Sequence, residues 1–322
     1  MPATPPAPCR ISVLLVTYNH ENYIRQALDA LFGQATKEPI ELIVADDGSS
    51  DNTVSLIKEY ENKKDHQFHF KYLDNKINLG ITKNYQRGFA ACSGDYVAVL
   101  EGDDYWISPF KLQRQIEFLD AHWECGLCSA NYFVFEETRF HFYPRTAPGT
   151  GYRLLSARDL IADNLVGNFS TCMYRKSALS ALPKELFEIC SYDWIVNICV
   201  ARSSLIGFIE ETMSVYRLHA NGVWTQTAPT EKLKAQLALI PVYDTLTDHV
   251  YHAEFELLSN RLQQMVSISN LTHLAATAKK PTACLLACLI DCLPPIFLAA
   301  IRALTPPKLK RFIIKTMQSG PL

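Results

Sequence analysis

The sequence predicts an α/β domain, a mixed and mostly parallel sheet flanked by helices, followed by a C-terminal helical extension. Two observations carry this reading. Short apolar runs alternate with helix-period stretches through the first 120 or so residues. Two of those runs also stop abruptly in carboxylates: residues 40–45 before Asp46-Asp47-Gly48, and residues 96–100 before Glu101-Gly102-Asp103-Asp104. Strands buried on both faces read as continuous apolar runs, so a polar strand end marks a rim. In open α/β sheets the rim at the carboxyl ends of the strands is where ligands sit.

The elements follow in order. Residues 11–16 open the pattern as an apolar strand, and Ile24, Ala27, Leu28 and Leu31 then share one helical face. Residues 40–45 are the second strand. Gly48 allows a tight turn after it, and Ser50 or Asp51 is placed to cap a helix whose inner face is Val54, Ile57 and Tyr60. A third strand is expected at residues 68–73, and a helix at 82–92 that closes before Gly94. Residues 96–100 form a buried strand; Leu112, Ile116 and Leu119 face inward on the next helix, which opens near Ser108-Pro109. The stretch 133–153 reads as a loop or hairpin, punctuated by Pro144, Pro148, Gly149 and Gly151.

From about Ala228 the composition changes. Residues 231–269 read as helices with Leu233, Leu237, Ile240, Leu257, Leu258, Leu262 and Met265 on apolar faces, packed on the main domain or on another subunit. Residues 282–304 are more apolar but are interrupted by Asp291, Pro294 and Pro295. A membrane span needs ~20 mostly apolar residues, so crossing is not expected. With Lys308, Lys310, Arg311 and Lys315 just beyond, the segment suits an anionic membrane surface, or alternatively an amphipathic pair in a homodimer. The resulting division is a disordered N-terminus at 1–9, a catalytic domain at 10–227 and a helical region at 228–322.

Composition narrows the function. A formal net charge of -2 argues against bulk nucleic-acid binding. The chain opens without a basic, apolar leader, and its cysteines show no small-scaffold spacing, so they read as reduced thiols in the cytoplasm. His122, Cys125 and Cys128 have metal-binding chemistry, but no second Cys pair follows at finger spacing and the run is strand-like, which favours a structural role. Asp103 and Asp104 are hard oxygen ligands on a rigid strand end and suit Mn2+ or Mg2+ carrying a diphosphate; the alternative is an acidic loop that caps the following helix. Asp46 or Asp47 is left free to accept a hydrogen bond from a ligand, although Asp-Gly-Ser is also ordinary turn chemistry.

Taken together, Val16-Thr17-Tyr18-Asn19, Asp46-Asp47-Gly48-Ser49-Ser50-Asp51, Asn78-Leu79-Gly80, and Gly94-Asp95-Tyr96 leading into Glu101-Gly102-Asp103-Asp104 resemble family 2 glycosyltransferases, which have the Rossmann-like GT-A fold. Ser191-Tyr192-Asp193-Trp194 and the stretch from Met213 through Tyr216-Arg217-Leu218-His219 to Trp224 resemble a bacterial branch that builds cell-surface glycans. The resemblance implies an inverting, metal-dependent transfer of one sugar from a nucleotide-sugar donor, most often a UDP-sugar, to a glycan or lipid-linked acceptor in cell-surface polysaccharide or lipopolysaccharide assembly. It implies that Asp104 leads the metal set with Asp103 and His219, and that Asp103 also positions the ribose. Asp46 and Asp47 would bracket the base, Thr17 and Tyr18 would line its other side, and Arg217 would pair with phosphate. Asp193 would be the base, although Tyr192-Asp193-Trp194 also opens a helical pattern where Asp193 can serve as a cap. Trp106, Trp194 and Trp224 would wall the sugar or acceptor, or simply pack.

The chain departs from the family pattern in two places. Glu101 stands where Asp is common, and Tyr85-Gln86 stands where Arg-Asn is common, leaving Lys83 or Arg87 to serve the phosphates. These departures keep a catalytically weak, nucleotide-binding scaffold open as an alternative. A nucleotidyltransferase would need a Gly-rich basic loop near the first strand, which this sequence lacks. It also lacks the Gln-x-x-Arg-Trp motif of processive synthases, so one sugar per encounter is expected.

Overall fold

The fold is seen in a computed structural model that describes residues 10–63, 67–73, 77–190, 192–222, 225 and 227–277. Residues 1–9, Ser191, Trp224 and the apolar and basic tail beyond residue 281 lie outside the described residues, as do the expectations attached to them.

The strands in chain order are β1 (Ile11–Thr17), β2 (Ile40–Asp46), β3 (Phe68–Tyr72), β4 (Tyr96–Glu101), β5 (Tyr105–Trp106), β6 (Cys125–Glu136), β7 (His141–Pro144), β8 (Tyr152–Leu155), β9 (Cys172–Arg175) and β10 (Leu205–Leu218). They form one sheet in the order β3-β2-β1-β4-β9-β6-β10-β5, with β7 paired to β6 and β8 to β10. The helices are α1 (Ile24–Phe32), α2 (Thr53–Glu61), α3 (Ile81–Ala91), α4 (Lys111–Ala121), α5 (Ala157–Ala162), α6 (Lys176–Ser180), α7 (Asp193–Val200), α8 (Pro229–Leu246) and α9 (His252–Thr277).

The half of the sheet from β3 to β4 is parallel throughout, as the alternation of apolar runs and helices predicts. Ile11, Val13, Leu15, Leu42, Val44, Ala98 and Leu100 bury one face against Ile24, Leu28 and Leu31 of α1 and Leu112, Ile116 and Leu119 of α4. Thr17 is level with Asp46 and Val16 with Glu101, so the ends of β1, β2 and β4 share one rim. The other half is mixed. The short β9 runs antiparallel to both β4 and β6, while β6 and β10 are parallel with shifts in register around Ile209 to Ser214.

The stretch read as loop or hairpin is a hairpin. β6 runs twelve residues to Glu136, turns through a 3-10 segment at Glu137–Arg139 and returns as β7, and Pro144 ends the pairing. Cys125 and Cys128 lie inside β6 and are fully buried, and His122 bonds Glu124, so the strand reading of this segment holds.

Among the described residues two compact units are distinguished: 10–220 together with 246–250, and 221–245 with 251–277. The second comprises α8 and α9, linked by a hydrogen bond between the Thr230 and Ser269 hydroxyls at 2.5 Å. Among the described residues no helix is long and apolar enough to cross a membrane.

Candidate functional site

At the rim, β4 runs out into Gly102, where the chain passes so close to β1 that a β-carbon would sit 2.8 Å from both His20 Nδ1 and Thr17 Oγ1. Glycine is what lets the acidic loop lie there. The next residue, Asp103, points its Oδ2 at two imidazoles: His219 Nε2 at 3.0 Å and His20 Nε2 at 3.8 Å. Burial works to raise the Asp103 carboxyl, but the charge of His20 and the hydrogen bond from His219 outweigh it and hold the group below the usual carboxylate range. His219 is only 3% exposed. Its Nδ1, His20 Nδ1 and Thr17 Oγ1 are buried without a protein hydrogen-bond partner.

Asp104 turns the other way. It is almost fully buried; its Oδ2 accepts from Asn168 Nδ2 at 2.9 Å and Ser170 Oγ at 2.7 Å, and its Oδ1 accepts from the Arg217 backbone N–H at 2.9 Å. Burial, then the charge of Asp103, pushes its carboxyl up to about 7. The Asp104 carboxylate therefore ties the acidic loop to β10 and to the 168–170 turn, and Asp103 is the carboxylate that stands beside His219.

Arg217 is bonded to the acidic loop itself. Its Nε donates to the Asp103 carbonyl at 2.9 Å and one terminal nitrogen donates to Gln26 Oε1 at 2.5 Å. The guanidinium is packed against the rings of Tyr23, Tyr105 and Phe135 at 4.9, 5.4 and 5.5 Å, with Glu137 at 3.6 Å. Buried among rings and already neutralised, it clamps the Asp103 loop to β10.

The two departures from the family pattern meet. The Tyr85 hydroxyl donates to Glu101 Oε1 at 2.8 Å, and the Tyr85 ring stacks on Phe169 at 4.2 Å. Burial raises the Glu101 carboxyl well above its usual range, and Asp104, Asp103 and finally Asp193 add to that. Asp193 thus belongs to the same acidic cluster. It is the first residue of α7, where its Oδ1 accepts the Trp194 backbone N–H at 2.7 Å, and burial pushes its carboxyl up to about 7. The expected cap role is not what the structure shows: Tyr192 is the N-cap and makes no side-chain cap bond, and Asp193 is the first residue of the helix.

The turn after β2 is tightly bonded. Asp46 Oδ2 accepts from the backbone N–H groups of Gly48 and Ser49, at 3.1 and 2.9 Å. Asp47, nearly fully buried, accepts from the N–H groups of Leu79 and Gly80, both at 2.9 Å, and so ties this turn to the start of α3. Asn19, with φ of 55°, accepts from Ser50 N–H at 2.8 Å and locks the β1 turn to the β2 turn. Thr17 is buried at the end of β1, while Tyr18 is 46% exposed beside it. Lys83 forms a surface pair with Glu188 at 2.6 Å, and Arg87 donates to the Asp46 carbonyl at 2.5 Å.

Trp106 and Trp194 are packed. The Trp106 indole N–H donates to the Ser170 carbonyl at 2.8 Å with Lys111 Nζ over the ring, and the Trp194 N–H donates to the Leu160 carbonyl at 2.7 Å. Both are buried, with their indole N–H groups satisfied.

The sequence reading missed His20, Asn168, Ser170 and the pairing of Tyr85 with Glu101. His20 directly follows the first-strand motif, but nothing in its neighbours along the chain shows that Asp103 lies beside it.

Residues 12–182 match the family described as Glycosyl transferase family 2. The chain is 34% identical over 226 residues to an uncharacterised protein of Mycobacterium tuberculosis, across 70% of this chain and 63% of that protein. It is 31% identical over 233 residues to the glycosyltransferase GlyA of Streptococcus pneumoniae, across 67% of this chain and 32% of GlyA. The match therefore spans less than two thirds of either relative. Two solved structures share the fold: Staphylococcus aureus TarS 1-349 in complex with UDP-GlcNAc, with a TM-score of 0.58 at 18% identity over 79% of this chain and 71% of that one, and the mannosyltransferase PcManGT of Pyrobaculum calidifontis in complex with GDP-Man and Mn2+, with a TM-score of 0.58 at 15% identity over 93% and 86%.

Proposed function

The chain belongs to glycosyl transferase family 2, and from that premise we propose that it moves one sugar from a nucleoside-diphosphate sugar, a UDP-sugar in the first instance, to a hydroxyl of a glycan or lipid-linked acceptor. The transfer inverts the anomeric centre, uses Mn2+ or Mg2+, and serves cell-surface polysaccharide or lipopolysaccharide assembly.

The observation that carries the proposal is the placement of Asp103 Oδ2 against His219 Nε2 at 3.0 Å, on the rim shared by β1, β2 and β4. A carboxylate oxygen beside an imidazole nitrogen is a mixed donor set that favours Mn2+ over Mg2+, and Thr17 Oγ1, His20 Nδ1 and His219 Nδ1 are buried without partners. In this reading Asp103 and His219 hold the cation. Asp104, whose oxygens are taken by Asn168, Ser170 and the Arg217 N–H, holds the loop that presents Asp103. When bound, the cation stabilises the charge that develops on the departing diphosphate. His20 steadies the Asp103 carboxylate from the β1 side. Asp193, in the same acidic cluster, takes the proton from the attacking hydroxyl, and its raised carboxyl is suited to working near neutral pH. Direct displacement by this one base inverts the anomeric centre and requires no carboxylate nucleophile. The turns holding Asp46, Asp47, Thr17 and Tyr18 form the nucleotide side of the cleft, with half-exposed Asp46 left as the better partner for a base N–H.

The two structural neighbours were captured with different nucleotides, UDP-GlcNAc and GDP-Man. A thermal-shift panel of UDP, GDP, dTDP and CMP, each with and without Mn2+, therefore tests the reading. The expected result is a Mn2+-dependent rise in melting temperature with UDP, because a ligand that binds only the folded state stabilises it by mass action. A rise with no nucleotide, or a rise that ignores the metal, sinks the proposal.

A further inference from the structure

The β6–β7 hairpin presents aromatic rings that the cleft does not use. All four residues of β7 are exposed, and Phe140 in the turn is 82% exposed. Because side chains alternate along a strand, the rings fall on both faces of the ribbon. On one face Phe142 stacks on Phe135 at 4.1 Å, and Phe140 stands edge-on to Phe135 at 5.6 Å. On the other, His141 and Tyr143 lie 5.6 Å apart. Phe140 also has φ of 48°, a left-handed backbone that a bulky residue adopts at a cost, where glycine or asparagine would relieve it. Strain that keeps a phenyl ring at an exposed tip calls for a function.

The charges point the same way. Arg139, beside Phe140, has a side chain that is 77% exposed. The nearby acids are engaged: Glu136 ends β6 and pairs with Arg139 at 3.1 Å, and Glu137, its side chain 38% exposed, accepts from the Tyr23 hydroxyl at 3.2 Å and lies 3.6 Å from Arg217. The foremost groups are therefore rings and a cation.

We propose that this hairpin docks the protein on an anionic lipid surface, with Phe140, Phe142 and Tyr143 at headgroup depth and Arg139 against lipid phosphate. Rings on both faces decide for lipid over sugar. A glycan lying along the ribbon covers one face, whereas a tip dipping into a bilayer interface covers both. The base of the hairpin, through Glu137 and Phe135, touches the guanidinium that carries the Asp103 loop, so docking brings the acidic cleft to the membrane surface. The inference goes beyond sugar transfer, and its test needs neither donor nor acceptor.

The test is sedimentation of the full chain with vesicles of phosphatidylcholine containing phosphatidylglycerol, against phosphatidylcholine alone. The wild type is expected to partition onto the anionic vesicles. Phe140→Ser combined with Phe142→Ser should lower partitioning by roughly tenfold or more. Arg139→Ala should lower it about fivefold, and only on the anionic vesicles. Phe140→Trp keeps an aromatic tip and reports directly, since its fluorescence should be quenched by brominated lipid beyond the wild-type signal even where the serine variant folds poorly. Absence of wild-type partitioning, or partitioning unchanged in the serine variant, overturns the proposal. So does a serine variant that keeps its lipid binding but raises KM for a soluble glycan acceptor, which would make the rings an acceptor platform. Nucleotide-induced thermal shifts in the same variants show separately whether the donor site is intact.

Discussion

Tyr85 donates its hydroxyl hydrogen to Glu101 Oε1 at 2.8 Å, joining the middle of α3 to the last residue of β4. Each residue alone is a departure from the pattern that the motifs resemble; together they satisfy one another. The pair removes the main reason for reading the site as a decayed scaffold, because drift at one position would leave a buried carboxyl without a donor.

That relationship predicts coupling. Tyr85→Phe and Glu101→Gln should each cost about 1 kcal/mol of stability, with a coupling energy of roughly 0.5 kcal/mol or more in the double-variant cycle. Additive effects measured by chemical denaturation would show that the two positions changed independently.

The neighbouring aspartates should separate by readout. Asp103→Asn is expected to abolish the Mn2+ dependence of UDP binding with little change in melting temperature. Asp104→Ala leaves Asn168, Ser170 and the Arg217 N–H without their acceptor, at about 1–3 kcal/mol for each buried group so stranded, and should lower stability markedly. Calorimetry and Mn2+-dependent UDP titration on both variants check this; an Asp103→Asn protein that still binds UDP through the metal would return the ligand role to Asp104.

The base has a pH signature. With the Asp193 carboxyl raised to about 7, the ionised form that accepts a proton grows in as pH rises through that value. The turnover rate should climb across the same window and flatten above it. Asp193→Asn should remove that limb and slow transfer by roughly 10²-fold or more while donor affinity holds. Retained turnover at saturating acceptor would assign Asp193 to the helix start alone.

A second pH effect lies in the core. Lys111 is fully buried, with its Nζ 4.3 Å from the Trp106 ring centroid and 2.8 Å from Gln115 Oε1, and burial lowers the amine from 10.5 to about 7. Between those values the unfolded chain binds the proton that the folded chain has lost, so stability rises with pH across the interval and the penalty is fully present below about 7. Lys111→Met should flatten that slope. Urea melts of both proteins over the interval decide the matter, and parallel slopes would clear Lys111.

Much of this was legible in the sequence because parallel strands buried on both faces are continuous apolar runs. The ends of β2 and β4, with Asp46 and Asp103 just there, follow directly. The end of β10 can be read from the Asn221-Gly222 turn signal after Arg217 and His219, but its length and partners cannot: Glu210-Glu211-Thr212 breaks its apolar run, and its neighbours β6 and β5 come from far back along the chain. Without those partners nothing local sets the Arg217 guanidinium against Tyr23, Tyr105 and Phe135. Indole burial at Trp106 and Trp194 depends on the carbonyls of Ser170 and Leu160, contacts that no local pattern encodes.

The Arg217 clamp also limits which lengths of chain evolution can try. Arg217 is the last but one residue of β10 and His219 directly follows the strand, so both depend on the parity of everything between the irregularity near Ser214 and the strand end. A single deletion there swaps faces, setting Leu218 where the guanidinium belongs and carrying the imidazole away from Asp103. Length variation that the loop at 146–151 absorbs as a surface segment would, in this half-turn of strand, dismantle the cleft in one step.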